Sequence, residues 1–453
     1  MLRTKPLLGT FFVTLLCLFG GSDSIQAATQ FEWNGVVSTN AAQEAWLIFE
    51  GEVRIQHDFQ PNKEMIREAI HQQIHYLPGP MQYPHDGGYA TTGHDFGLSN
   101  IRIRKINSES SIWYVQYHYQ GLVLAPTPLA SKKTIYLAVE PSKLYQATLD
   151  PKSEHNPCTD EQLQSEDDLW HFWSPERPGC KLKKDIDYIE VIAQVSGIAS
   201  RSLKRPEFER MMDSKGVIRV SMLFGLNDPV ENANPVRSID IAARNFQHYQ
   251  NELLLAGFER TQHSDFQVRM NSYEESYEKT YSATPDRPVK KVEIQLFLGS
   301  SKNRSPRSKR FSIRLKEAFE KSALVIYDGH SGLGRNLRLS AIRNEHDIQI
   351  HFDSNRYQIF MLDSCNSYEY WKREYFATKA SGRDPVGSKN LDLIVNGLQS
   401  QFMTGASRSG ILLRALDRWI STGQFTSYAE IIDQFADSGS YPVVLGEEDN
   451  PSL

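Results

Sequence analysis

Two short runs in the C-terminal half decide the fold: Ala323-Leu324-Val325-Ile326-Tyr327-Asp328-Gly329-His330-Ser331-Gly332 and Tyr357-Gln358-Ile359-Phe360-Met361-Leu362-Asp363-Ser364-Cys365-Asn366-Ser367. Each is an apolar run that stops at Asp, Gly or Ser, as expected of a strand buried on both faces of a parallel sheet. In an open α/β sheet, ligands bind beyond the carboxyl ends of such strands. A histidine and a cysteine delivered there by neighbouring strands make a candidate base and nucleophile.

The surrounding pattern extends this picture. A strand is predicted over 217–225, followed by a helix with Ile239, Ala242, Ala243, Phe246, Tyr249 and Leu253 on one face and Gly257 as its cap. A strand over 291–298 and a helix carrying Phe311, Leu315 and Phe319 lead into the histidine run. After the cysteine run come an apolar stretch at 391–395 and helices around 411–420 and 428–435. The alternation predicts an α/β domain over 215–453, with a mostly parallel sheet and helices on both faces. Ahead of it, residues 29–184 read as a smaller α+β or mostly β accessory domain. Its β-like runs lie at 45–49, 112–117 and 134–139. Its one helix, 64–76, aligns Ile66, Ile70 and Ile74 and stops at Pro78-Gly79-Pro80. Residues 185–214 read as a connector with a charged patch at 201–210, and 300–310 as a basic, solvated loop.

Composition narrows the compartment and the partners. The 453 residues carry 50 basic and 55 acidic side chains, a net charge of −5, which leaves no basic field for nucleic acid. Residues 1–28 have the order of a secretory signal peptide: Arg3 and Lys5, an apolar stretch from Leu7 to Phe19, then a polar segment ending in Ala27-Ala28. Cleavage is expected after Ala27 or Ala28, giving a secreted or periplasmic chain with no transmembrane segment. Three of the four cysteines then remain. Cys158 and Cys180 flank a Pro- and Trp-rich loop, and in an oxidising compartment they are expected to bond. Such a bridge typically contributes ~2–4 kcal/mol. Cys365 is left over as a thiol that can react.

The two runs resemble the histidine and nucleophile segments of the caspase-like cysteine peptidases (metacaspases, legumains, gingipains and caspases). Tyr327-Asp328-Gly329-His330 is similar to the histidine turn, and Leu362-Asp363-Ser364-Cys365-Asn366-Ser367 to the metacaspase nucleophile segment, over roughly residues 216–445. The resemblance implies a caspase-like fold and an endopeptidase acting on protein or peptide substrates without a cofactor. Cys365 would attack the scissile carbonyl and His330 would act as general acid/base. Backbone N–H groups of Cys365 and of Ser331 or Gly332 would hold the oxyanion. The family has His-Gly where this chain has His330-Ser331-Gly332, and a positive φ at Ser331 would be strained. Asp363 matches the position that receives a basic P1 side chain, so the resemblance implies cleavage after Arg or Lys; an Asp at a strand end also serves as a turn cap.

Other histidines carry less. His85 and His94 lie in a Gly-rich segment read as a surface loop, and His71 and His75 share a helix face without a third metal ligand. Trp113, Tyr114, Tyr117 and Tyr119 read as sheet core. No metal is expected. The alternative to a peptidase is a catalytically silent protein that uses the same fold for binding or assembly at the cell envelope.

Overall fold

The computed structural model describes residues 35–37, 41–83, 88–105, 110–153, 155–160, 165–198, 204–226, 239–263, 272–302, 308–400, 405–435 and 439–452. The expected signal segment, His85 and part of the charged patch at 201–210 lie outside the described residues, as does much of the basic loop at 300–310.

The first half contains β1 (Val36–Val37), β2 (Ala42–Gln56), α1 (Lys63–His75), α2 (Pro78–Gln82), β3 (Ala90–Lys105), β4 (Ile112–Pro126) and β5 (Lys132–Ala138). After these come α3 (Pro141–Thr148), α4 (Glu166–Phe172) and β6 (Tyr188–Gly197). The second half begins with β7 (Val217–Leu226), α5 (Ile241–Leu255), β8 (Glu259–His263), β9 (Tyr273–Thr280), β10 (Lys291–Ser300) and α6 (Ser308–Lys321). It continues with β11 (Leu324–Gly329), α7 (Leu339–His346), β12 (Gln358–Asp363), α8 (Ser367–Tyr370) and α9 (Lys372–Lys379). It ends with β13 (Leu391–Asn396), α10 (Gly405–Thr422), α11 (Tyr428–Asp433) and β14 (Pro442–Leu445).

These strands form two sheets. The larger is nine-stranded, in the order β1-β14-β13-β12-β11-β7-β10-β9-β8. Its five central strands, from β13 to β10, are parallel; β14 and β1 on one side and β9 and β8 on the other are antiparallel. The sheet is therefore mixed rather than mostly parallel, which corrects the expectation from alternation. The added pairs escape hydrophobic patterning for a physical reason. β8, at the edge, and β9 beside it are polar strands, and β9 turns the carboxylate of Glu275 inward, where Arg260, Tyr273 and Tyr277 donate to it.

Helices do cover both faces. Along β11, Leu324 and Ile326 face a core shared with Phe246 of α5, Leu416 of α10 and Ile432 of α11. Val325 and Tyr327 face the other core, with Phe311 and Leu315 of α6, Ile342 of α7 and Phe376 of α9. Burial on both faces is why these strands are continuously apolar. Helix α5 starts at an Asp240 cap, whose carboxylate accepts from Ala242 N (2.8 Å); Ile239 lies outside the helix and is exposed.

The smaller sheet is antiparallel, in the order β3-β4-β2-β6-β5, with α1 packed on it. Two expectations shift here. The segment around His94, read as a loop, is part of strand β3, which bulges between Thr91 and Phe96 and again between Ser99 and Arg102. Strand β6, inside the expected connector, pairs with β2 and β5 of this sheet. Tyr117 and Tyr119 are core as expected, while Trp113 and Tyr114 are half-buried under Lys105, Arg54 and Arg104.

The C-terminal tail is fastened at the amino-terminal end of the parallel strands. The buried Asp392 carboxylate of β13 accepts from Tyr357 Oη, Tyr428 Oη (2.5 Å) and Asn450 Nδ2 (2.7 Å), and burial pushes its pKa up to about 7. Asn450→Ala should lower the urea midpoint without changing the slope, at a cost of about 1–3 kcal/mol for a buried acceptor losing a donor. An unchanged midpoint would show that the tail does not hold this network.

Candidate functional site

Strand β11 pairs with β12 in parallel, with Asp328 opposite Asp363. His330 and Cys365 each follow two residues after these aspartates, just past the carboxyl ends of the adjacent parallel strands. Both side chains are partly exposed. The strands that lead into the two motifs are adjacent and parallel.

The histidine turn is held by its carbonyls. Tyr327 Oη and Asn336 Nδ2 each donate to the carbonyl of His330 (2.7 Å), and Asn336 N donates to that of Ser331 (3.2 Å). A trans peptide places its N–H opposite its C=O. Anchoring these two carbonyls therefore fixes the directions of the Ser331 and Gly332 N–H groups, the donors expected for an oxyanion. The departure from His-Gly at Ser331 carries no backbone strain: positive φ falls at Gly332 (56°), Leu333 (52°) and Gly334 (81°). A Cβ on Gly334 would stand 2.7 Å from the ring of Tyr370, so this turn packs directly on α8.

The cysteine turn is held from β13. Asn366 takes a left-handed conformation (φ 53°), tolerable for Asn, and starts α8. Its N–H donates to the carbonyl of Leu398 (3.0 Å), and Ser367 Oγ bridges Leu362 O (2.9 Å) and Asn396 N (2.7 Å). The sulfur of Cys365 lies 4.0 Å from the carbonyl of Ser400. The segment after β13 thus forms a wall of the site that its sequence does not reveal.

Burial shifts both Cys365 and His330 toward their neutral forms. Burial pushes the Cys365 thiol up to about 11, with Asp363 adding to the rise and the backbone of Ser400 and the Arg408 guanidinium opposing it. Burial and then Lys302 hold His330 below the usual imidazole value, with Asp240 opposing. A neutral imidazole is able to accept a proton. Asp328, opposite Asp363 in register, is raised first by burial and then by the Asp363 charge, while Asn245 Nδ2 donates to its Oδ2 (2.8 Å).

Asp363 is not open to solvent. Its Oδ1 accepts from Ser400 Oγ (2.5 Å), Asn396 Nδ2 (2.8 Å) and Arg408 Nη1 (3.3 Å). The expected receptor for a basic side chain already has a cationic neighbour from this chain, one that no sequence pattern flagged.

The first domain reaches both turns through α4, which lies in the loop closed by the Cys158–Cys180 disulfide. Asp167 pairs with Arg335 of the histidine turn (3.5 Å). His171, 2% exposed, stands 3.5 Å from Glu369 and from Tyr370 Oη on the helix that follows Cys365. Ala42, Ala90 and Leu124 share a core with Leu398 and Tyr441, backing the Ser400 segment. His71 and His75 are ring contacts of Phe96 and Trp170, and no group of three His, Cys, Asp or Glu among the described residues is placed to hold a metal. Nor, among them, is any helix long and apolar enough to cross a membrane.

Two outcomes follow from this geometry. Alkylation of Cys365 by iodoacetamide in the resting protein should climb steadily through pH 8–10, toward the thiol's pKa of about 11. A plateau below about pH 7 would instead reveal a thiolate–imidazolium pair. Replacing Cys158 and Cys180 by serine should lower stability by about 2–5 kcal/mol and loosen α4, read as faster amide exchange in α4 and α8; unchanged exchange would separate the staple from the site. No family model matches the chain, and no curated protein matches it.

Proposed function

We propose that this chain is an exported cysteine endopeptidase of the caspase-like type, with Cys365 as nucleophile and His330 as general acid/base. The observation that supports the reading is the parallel pairing of β11 with β12, whose carboxyl ends lead into His330 and Cys365 at the end of the sheet where α/β proteins bind ligands. The disulfide supports an oxidising compartment, consistent with residues 1–28 acting as a signal peptide cleaved after Ala27 or Ala28.

The chemistry follows from neutral partners. Neutral His330 takes the Cys365 proton as sulfur adds to the scissile carbonyl, giving a tetrahedral oxyanion. The N–H groups of Cys365 and of Ser331 or Gly332 receive its charge. The imidazolium returns the proton to the leaving amine, the C–N bond breaks, and a thioester remains. Water, deprotonated by His330, then adds to the thioester, releasing the carboxylic acid and restoring the thiol. The substrate is protein or peptide, and no cofactor enters the scheme.

A second reading, a silent binding or assembly protein of the cell envelope, draws on one observation: burial holds the resting thiol protonated, unlike thiols poised for attack. Cleavage of an unfolded, fluorescently labelled protein separates the two. Wild type should cleave it, Cys365→Ala should not, and His330→Ala should be slower by about 10²–10⁴-fold. Cleavage that survives in Cys365→Ala would remove the peptidase assignment from this site.

A further inference from the structure

In the smaller sheet, β2 pairs with β6 only from Ala45 to Ile48, while β6 continues along β5 as far as Tyr188. Beyond Ile48 the two strands part. From the α1 side the parting is sealed by a fully buried amide. Gln73 Nε2 donates to the carbonyls of Glu52 (2.8 Å) and Ala138 (2.5 Å), and Tyr117 Oη donates to Gln73 Oε1 (2.5 Å). A Cβ on Gly51 would stand 2.3 Å from the Tyr117 ring, so only glycine fits over it. On the face turned away from α1 the parting leaves a cavity of about 400 Å³, with Gly51 and Glu52 of β2 on one side and Ile189 of β6 on the other. Small-ligand sites typically span ~300–1,000 Å³.

Planar polar groups make up the rest of the wall. Glu52, Gln116 and Arg102 stand in one cross-strand row over β2, β4 and β3, and Glu50 and Asn100 complete the lining. Gln116 Nε2 (3.1 Å) and Arg104 Nη2 (3.0 Å) share Glu52 Oε2, and His118 Nδ1 lies 2.7 Å from Glu50 Oε1. This chemistry narrows the occupant. An apolar ligand would strip water from two carboxylates and a guanidinium. An anion meets both carboxylates. A cation meets Arg102 in the wall and finds Glu52 already paired with Arg104. What remains is an uncharged ligand whose groups both donate and accept. Carboxylate, amide and guanidinium each offer two coplanar contacts, which match adjacent hydroxyls on a sugar ring, while Gly51 and Ile189 leave room for its C–H faces. We propose that this cavity binds an uncharged oligosaccharide, giving the first domain a glycan-binding site of its own, independent of Cys365.

The test uses the mature full-length chain and neutral trisaccharides of glucose (α- and β-linked), galactose, mannose and N-acetylglucosamine, with trilysine as the cationic comparison. Affinity is read by calorimetry and location by amide hydrogen exchange. At least one trisaccharide should bind and slow exchange around Glu50–Glu52, Arg102 and Gln116. Gln116→Leu and Arg102→Leu, both at exposed positions, should each weaken that binding on the order of tenfold, as expected for losing one or two hydrogen bonds to the ligand. Their thermal midpoints should match wild type. Gln120→Ala, on the same face of β4 but outside the cavity, should bind as wild type does. The inference is overturned if none of the sugars binds, if protection falls only elsewhere in the molecule, or if both leucine variants bind unchanged. Trilysine binding more tightly than every sugar would make this a cation site and overturn it equally.

Discussion

The molecule depends on the parallel ladder between β11 and β12. Asp328 stands opposite Asp363 in that ladder, and a slip of one residue would turn the apolar side chains of a strand toward the wrong core. Both faces of these strands are buried, so both cores resist such a slip: Ile326 and Met361 on one side, Tyr327 and Leu362 on the other. The pairing thereby fixes where the chain emerges, and with it the positions of His330 and Cys365. Because parallel strands need a long crossover, the two residues are 35 positions apart in sequence and are related through the sheet.

Around that ladder the protein spends its buried polar groups on turns. Tyr327 and Asn336 clamp the carbonyl of His330, Trp371 Nε1 donates to Gly334 O (2.7 Å), and Ser367 ties Leu362 to Asn396. The first domain contributes α4, which touches the histidine turn through Asp167 and the cysteine helix through His171. It is therefore a structural component of the site rather than a distant appendage, and its disulfide fixes the element that makes these contacts. Glu369, buried against His171, is held well above the usual carboxylate range by that burial.

The sequence disclosed the centre of the sheet because β7, β10, β11, β12 and β13 are apolar on both faces, a pattern that few alternatives satisfy. It concealed the edges. Strands β8 and β9 are written in Glu, Arg, Tyr and Lys, β1 is two residues long, and the exposed side of β6 carries Ile192 and Glu190, so none has a clean alternation of apolar and polar. Strand β3 hides behind glycines and two bulges. At the site, His330, Cys365 and the disulfide pair could be read from local composition. Arg408 could not: it sits on α10, a helix that otherwise reads as amphipathic, and its partner Asp363 is close only after folding. The conformation of the His-Ser-Gly turn also needed the structure, since nothing local says that positive φ falls on Gly332 rather than on Ser331.

The claim that most needs a direct test is that these two turns form one reactive centre. A crystal structure of the mature chain after reaction with a peptidyl acyloxymethyl ketone of uncharged P1 would provide it. The account predicts a thioether on Cys365 Sγ, with His330 within hydrogen-bond reach of the adduct. The ketone oxygen of the adduct should lie ~3 Å from the N–H of Cys365 and of Ser331 or Gly332. An adduct on another residue, or one on Cys365 with its carbonyl oxygen turned away from the histidine turn, would contradict it.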